Sequence, residues 1–535
     1  MTRRSAGTRL RAKARWWPLA AGLALTLTWS FPAGAEDPAD AGLAAALDRV
    51  LADDRLSGAA AGVVVGDAET GRVLYERRPG DRLMPASNAK LATSAAAMEL
   101  LGPGYRFRTD VLTDGRRHGP VLHGDLYLRG TGDPTMLAED YDRLAAEVAA
   151  SGIRRVTGRL VADDTRFDDR RLGRAWAADD ESAYYSAQIS PLTVAPDTDY
   201  DAGTVRVRAV PGENPGDRPE VTLTPPNDYV TVDVRGTTVA EGGPDTLSIE
   251  REHGGNTIVV DGDIPVGADP TVSWTSVWEP TGYAAAVFAD ALADHGVRVS
   301  GGTLLGRAAP RGAKEVAEHR SMPLRELLLP FMKLSNNNHA EVLTKAIGHK
   351  TSGRGTWSAG LSAVTGYLES EGLDTAALRQ VDGSGLSRMN LMPAGQLARL
   401  LASVRDEPWF GQWYDSLPVA CERDRMVGGT LRSRMCGTPA AGNVRAKTGS
   451  LTGASSLSGY VTGADGREMF FSVVLNNHLA SSVKDVEDAV AVTLASHGGR
   501  EGDGGNGVER AAPRSAPPGT PPAELECSWA KPRSC

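Results

Sequence analysis

The chain has 535 residues, 41% of them hydrophobic and 23% charged, with a formal net charge of −9. That is ordinary globular composition, long enough for a large core and about two to four domains. The acidic balance argues against a partner held by attraction to basic surfaces, nucleic acid and anionic membranes above all.

Residues 1–35 read as an export signal. Arg3, Arg4, Arg9, Arg11, Lys13 and Arg15 form a basic start without an acid, Trp16 to Phe31 is mostly apolar but short for a membrane span, and Ala33-Gly34-Ala35 is a small-residue cleavage site. An uncleaved anchor is the alternative. Cleavage takes six positive charges and no negative one, moving the formal charge from −9 to −15. The expected location is therefore secreted and extracytoplasmic.

Gly62-Val63-Val64-Val65, a turn at 67–71 and Val73-Leu74-Tyr75 predict a hairpin. A helix then begins near Ser87, runs through Leu91, Ala95 and Met98, and stops at Gly102-Pro103. From about Arg106 to Arg311 the texture changes to short alternating strands between Gly, Pro and Asp turns. Thr204 to Arg208, Tyr229 to Val232 and Thr257 to Val260 are examples. This reads as a large β-rich insertion, divisible into two subdomains. Helical patterns return at Pro323 to Phe331, His339 to Ile347 and Gly360 to Glu371. Ser455 to Val461 and Met469 to Leu475 look like two strands of one sheet, and Ser482 to Ser496 like a closing helix. Residues 498–535 are expected to form a disordered tail. There is no internal repeat.

Four cysteines fall at 421, 436, 527 and 535. An exported chain permits disulfides, and local pairing, Cys421 with Cys436 and Cys527 with Cys535, is the simplest of three connectivities. Zinc fits worse, because neither pair has C-x-x-C spacing or a histidine cluster nearby.

Lysine is scarce, nine of the 58 basic residues, so a lysine inside a motif stands out. In Ser87-Asn88-Ala89-Lys90 the lysine lies one turn from the serine on the same helix face, where an amine can serve as the base that a weak hydroxyl nucleophile needs. The pattern recurs at Ser481/Lys484 and Ser528/Lys531; the first is expected to be an ordinary helix cap and the second lies in the tail. Ser335-Asn336-Asn337 occurs once, in a polar turn after the apolar helix Leu327 to Met332. It can present a hydroxyl and an amide to a cleft. His339 is read as structural, with no acid at a spacing that would orient it. Lys447-Thr448-Gly449 also occurs once, opening an edge strand. Its amine and hydroxyl suit a carboxylate, and its glycine lets a substrate backbone approach. Taken singly, each has a plainer reading: a helix cap, a turn with surface asparagines, a turn before a strand.

The three motifs in this order resemble the penicillin-binding proteins and serine β-lactamases. The 248 residues from Ser87 to Ser335, together with the segments Ser335 to Glu341 and Asp382 to Arg388, are similar to the D-alanyl-D-alanine carboxypeptidase/endopeptidase family of low-molecular-mass class C penicillin-binding proteins, over about residues 40–497. The resemblance implies an α+β fold. A β-lactamase/transpeptidase-like domain, a five-stranded antiparallel sheet with flanking helices built from 36–105 and 312–497, would carry residues 106–311 as a β-rich insertion. It further implies Ser87 as nucleophile, Lys90 as base with Lys447 as its positive neighbour, and Ser335 as relay to the leaving amine. Asn337 would hold the substrate amide, Gly449 would let the substrate backbone approach, and Thr448 and Ser450 would take the terminal carboxylate beside an oxyanion hole made by the Ser87 and Ser450 amides. A side pocket for diaminopimelate would use Asp180 (or Asp179) for its amine, Tyr185 as a wall, Arg388 for its carboxylate and Leu451 as floor. The implied partners are peptidoglycan peptides ending in D-Ala-D-Ala or cross-linked through diaminopimelate, and β-lactams; no metal or cofactor is implied. Two alternatives remain. A β-lactamase or esterase on the same core would need a deacylating glutamate motif, and none is evident between Ser335 and Lys447. A non-catalytic wall-binding or β-lactam-sensing module would tolerate damaged motifs, and these three are intact.

Overall fold

The computed structural model describes residues 38–499. The expected signal, the tail, the Ser528/Lys531 motif and the Cys527–Cys535 pair lie outside the described residues.

Alternation in Ala60–Asp67 sets the central architecture. Val63 and Val65 face one core and Val64 the other, as the two-residue period of a strand buried on both faces requires. This strand sits in a five-stranded antiparallel sheet, in the order Val73–Arg77, Ala60–Asp67, Glu468–Asn476, Ala454–Thr462, Arg445–Leu451. Of Glu468–Asn476, only Glu468 is exposed. Helices Pro38–Val50 and Lys484–Ala495 cover one face through Leu43, Leu47, Val490 and Leu494. Ala89–Leu100, Leu324–Lys333 and Ala394–Ser403 belong to the core on the other face. Side chains such as Val63 and Leu475, with no exposed surface, each contribute about 1.5–3 kcal/mol by leaving water. The strands and helices expected around this sheet are therefore present; the strands run a residue or more longer than expected, whereas the last helix, Lys484–Ala495, is shorter than the expected Ser482 to Ser496.

The insertion carries more helix than its sequence texture indicated. Its largest sheet runs Thr303–Leu305, Leu160–Asp163, Leu126–Gly130, Arg108–Thr113, Lys314–Arg320. Helices Ala138–Ala150 and Pro280–Asp294 pack against it through Tyr141, Leu144, Phe288 and Leu292. Smaller sheets contain Thr204–Val210, Thr231–Val234 and Thr257–Asp261, where strands were expected at Thr204 to Arg208, Tyr229 to Val232 and Thr257 to Val260. The boundary expected at residue 311 needs correction. Lys314–Arg320 pairs with Arg108–Thr113, so the insertion returns to the core after residue 320, because its closing strand completes its own sheet.

Cys421 and Cys436 form a disulfide with Cα atoms 5.0 Å apart. The segment it closes is not simply a surface loop, because Gly428, Gly429, Thr430 and Leu431 are buried. Ser481 does not cap the last helix: the helix starts at Lys484, and Ser482 Oγ accepts the Lys484 amide at 3.3 Å.

Candidate active site

Ser87 lies on a single 3₁₀ turn, Ala86–Asn88, that leads directly into helix Ala89–Leu100. Ala86 has φ +46°, a left-handed conformation that costs a residue bearing Cβ about 1–3 kcal/mol and must be held by its surroundings. The surroundings are tight. Ser456 Oγ donates to the Pro85 carbonyl at 2.7 Å. Gly385, at φ +87°, lies so close that a Cβ there would sit 1.8 Å from the Ala86 carbonyl oxygen. A Cβ on Gly449 would stand 2.8 Å from the Ser87 amide nitrogen and 2.9 Å from the Pro85 carbonyl. The glycine of the third motif, expected to make room for substrate, thus first makes room for the turn that carries the serine.

The helix spacing brings Lys90 to Ser87 as expected. Its Nζ is 2.9 Å from Ser87 Oγ, 2.6 Å from Asn337 Oδ1 and 2.8 Å from the Ser384 carbonyl, and the residue has no exposed surface. Ser335 follows helix Leu324–Lys333 at φ +58°. Asn336 Oδ1 accepts the His339 amide and starts helix Asn337–Ser352, the cap chemistry that Asn supplies. Lys447 Nζ donates to Ser335 Oγ at 2.8 Å and to the Thr448 carbonyl at 2.7 Å. All three motifs therefore meet: Lys90 joins the first to the second, and Lys447 joins the second to the third.

Arg445–Leu451 is the sheet's edge strand, so its residues alternate between two faces. Lys447 and Gly449 share the face toward Ser335 and Ser87, while Thr448 and Ser450 share the other. Thr448 Oγ1 donates to Thr430 Oγ1 at 2.8 Å. Thr430 was not foreseen; it lies inside the disulfide-closed segment, and nothing local in the sequence marks it.

The side-pocket residues divide between two flanks. The Tyr185 hydroxyl donates to Asp180 Oδ1 at 2.9 Å, and the Tyr185 carbonyl accepts from Asn337 Nδ2 at 2.8 Å. That segment therefore abuts the second motif. Asp179 is exposed and Asp180 half-buried. Arg388 is exposed, and its Nη1 donates to the Thr452 carbonyl at 2.9 Å, next to half-buried Leu451 at the far end of the edge strand.

Buried titratable groups surround the site. Burial pushes His339 down to about 4, and its Nε2 lies 3.0 Å from the Tyr200 carbonyl, which fits the structural role read from the sequence. Glu341 is buried, and desolvation with the neighbouring Asp382 pushes its carboxyl up to about 7. Lys333 is lowered to about 8 by burial and by Arg445. Asp110, Glu315 and Glu318 form the acidic cluster of the insertion sheet. Arg108 and Arg129 pair with these carboxylates, which leaves the cluster poorly suited to a cation.

Known proteins resemble this chain in sequence and in fold. The sequence matches the D-Ala-D-Ala carboxypeptidase 3 (S13) family over residues 43–497. It is 47% identical over 487 residues to a D-alanyl-D-alanine carboxypeptidase of Actinomadura sp., covering 90% of this chain and 89% of that protein. It is 30% identical over 476 residues to carboxypeptidase DacB of Mycolicibacterium smegmatis, covering 87% and 86% respectively. The fold is similar to the crystal structure of penicillin binding protein 4 (dacB) from Haemophilus influenzae, with a TM-score of 0.73, 24% identity, and coverage of 84% of this chain and 98% of that one.

Proposed function

The chain belongs to the D-Ala-D-Ala carboxypeptidase 3 (S13) family, and from that premise we propose that Ser87, Lys90 and Ser335 carry out its serine peptidase chemistry at the cleft beside Lys447. The protein is a serine-type D-Ala-D-Ala carboxypeptidase acting on peptidoglycan peptides. The observation that carries the residue assignment is the 2.9 Å contact of a fully buried lysine amine with Ser87 Oγ.

Ser87 Oγ attacks the carbonyl carbon of the penultimate D-alanine while its proton passes to neutral Lys90 Nζ. A free lysine amine titrates near 10.4, so a neutral amine needs desolvation or a positive neighbour; Lys90 is fully buried, and Lys447 is bonded to Ser335 of the adjoining motif. The oxyanion is held by the Ser87 and Ser450 amides. Ser335 relays to the leaving nitrogen the proton that Lys90 took, the C–N bond breaks, and D-alanine departs, leaving an ester on Ser87 and a neutral Lys90. Water then attacks the ester, releasing the shortened peptide and the free serine. Thr448 and Ser450, neighbours of Lys447 and Gly449 on the sheet's edge strand, bind the terminal carboxylate, and Asn337 aligns the substrate amide. A β-lactam carbonyl enters by the same attack and acylates Ser87.

The finer substrate reading is a stem peptide carrying diaminopimelate, free or cross-linked. Asp180, next to the second motif through Tyr185, takes the amine, and Arg388, next to Leu451, takes the carboxylate through its planar fork. The export signal in residues 1–35 and the Cys421–Cys436 disulfide support a secreted, extracytoplasmic location. Turnover of a D-Ala-D-Ala peptide, a cross-linked muropeptide and a chromogenic cephalosporin by the wild type and by Ser87→Ala tests the reading. Release of D-alanine by the wild type and none by Ser87→Ala is expected. Turnover of the cephalosporin above that of both peptides would instead mark a β-lactamase.

A further inference from the structure

The segment Asp382–Gly383–Ser384–Gly385 is buried and its polar atoms are heavily hydrogen-bonded. Glu341, itself without exposed surface, accepts the Ser384 amide at Oε1 (2.8 Å), and the Gly383 amide (2.8 Å) and the Trp357 indole (2.6 Å) at Oε2. Asp382 Oδ1 accepts the Gly385 amide at 2.9 Å and Asn390 Nδ2 at 2.7 Å. Its Oδ2 accepts the Ser387 amide at 2.7 Å and the Trp176 indole, from the insertion, at 3.0 Å. Thr93, one turn beyond Lys90, donates to the Gly383 carbonyl at 2.7 Å. The Ser384–Gly385 peptide unit is thereby pinned at its N–H end by Asp382, while its carbonyl accepts from Lys90 Nζ.

This matters for the direction of the lysine lone pair. The carbonyl of Ser384 and the amide oxygen of Asn337 can only accept. When the amine is neutral, its two N–H bonds point at those oxygens and its lone pair is left facing Ser87 Oγ. A Ser384 carbonyl free to swing would let the amine rotate and turn an N–H toward the serine.

We propose that Glu341 is a positioning residue for the peptidase reaction, acting through the buried loop 382–385 to aim the Lys90 lone pair at Ser87, with Asp382 as its partner in that role. The proposal rests on the reading of Lys90 as the base. Nothing in the S-x-x-K pattern itself points to an acid 251 residues further along the chain.

The test is the kinetics of acylation by a β-lactam, split into the non-covalent dissociation constant and the limiting rate. Glu341→Gln keeps the shape but sets an NH₂ against at least one of three N–H donors. Its limiting rate is expected to fall about 30-fold or more, as for a displaced catalytic group, with the dissociation constant within about threefold. A limiting rate like the wild type's overturns the proposal. Thr93→Val removes only the donor to the Gly383 carbonyl and decides the matter if Glu341→Gln does not fold. A fall of about three- to tenfold supports the proposal and an unchanged rate overturns it. Leu144→Ala, which loosens the insertion's own core, is expected to lower the thermal midpoint and leave the rate unchanged; slowing equal to that of Glu341→Gln would mean general loosening and overturn the proposal. Lys90→Ala separates the two layers. If it acylates normally, the base assignment fails; if it is dead while Glu341→Gln and Thr93→Val are unaffected, only the role of Glu341 fails.

Discussion

Gly449→Ala is the sharpest probe of how the edge strand and the nucleophile turn fit together. The new methyl would lie 2.4 Å from Ser456 Oγ, 2.8 Å from the Ser87 amide nitrogen and 2.9 Å from the Pro85 carbonyl oxygen. The serine hydroxyl can rotate away, but the other two contacts are backbone. Bringing 2.8 Å out to an ordinary separation of roughly 3.5 Å moves the strand from the turn by about 0.7 Å. Overpacking of this kind typically costs about 1–3 kcal/mol of stability. A displacement approaching 1 Å in a catalytic group costs about 10²-fold in rate, which is about 2.7 kcal/mol of transition-state stabilisation. The expected result is a folded enzyme whose kcat/KM for D-alanine release falls about 10²-fold. Acylation by penicillin is expected to fall in parallel, because both reactions use the same turn and the same oxyanion donors. A Gly449→Ala enzyme within threefold of wild type in both assays would refute the inferred contact between strand and turn.

Cys421→Ser with Cys436→Ser is expected to cost about 3 kcal/mol for a 15-residue loop and to raise KM through Thr430 and Thr448; thermal melts and steady-state kinetics check both, and an unchanged midpoint contradicts the first. Glu181 offers a pH test. Burial pushes its carboxyl up, but hydrogen bonds from His253, the Gly254 amide and Arg251 prevail and hold it at about 2, below its usual 4.5. A depressed carboxyl stabilises the fold above its unfolded value and loses that stability as pH falls from about 4.5 to about 2, by at most about 3 kcal/mol. Glu181→Gln should therefore shrink the acid-induced loss of stability across that window, and an unchanged acid titration of stability would contradict the assignment. Asp180→Ala should lower kcat/KM for a stem peptide with a free terminal amine and leave its N-acetylated analogue nearly unchanged, while Arg388→Ala should lose discrimination for the adjacent carboxylate. Equal losses on the amine and acetylated peptides would make Asp180 a support of the fold.

The catalytic sheet was legible because its signals are local. The valine run at 63–65 and the turn after it mark a hairpin, Gly102 and Pro103 end a helix, and S-x-x-K is itself a helix-face statement. The order of three motifs then linked Ser87, Ser335 and Lys447 across hundreds of residues. The helices Ala138–Ala150 and Pro280–Asp294 were passed over among short β-like runs and turn residues, although their alanine-rich stretches are a helical signal. The return strand Lys314–Arg320 was misplaced because pairing with Arg108–Thr113 is a tertiary fact. For the same reason Glu341 and the loop at Ser384 stood out only as parts of family-like segments, without a role, and Thr430 not at all. Their meaning comes from what they touch, and no spacing rule connects Thr430 with Thr448 or Glu341 with Lys90. Gly449 was seen, but its near neighbours were not, so its role was assigned to substrate before the serine's own turn.

The most direct measurement is peptide mapping by mass spectrometry of the adduct formed with penicillin. One acyl group on the peptide containing Ser87 is expected, absent in Ser87→Ala and intact in Ser481→Ala. An adduct on the peptide containing Ser481, or labelling that survives Ser87→Ala, would contradict the assignment of the nucleophile.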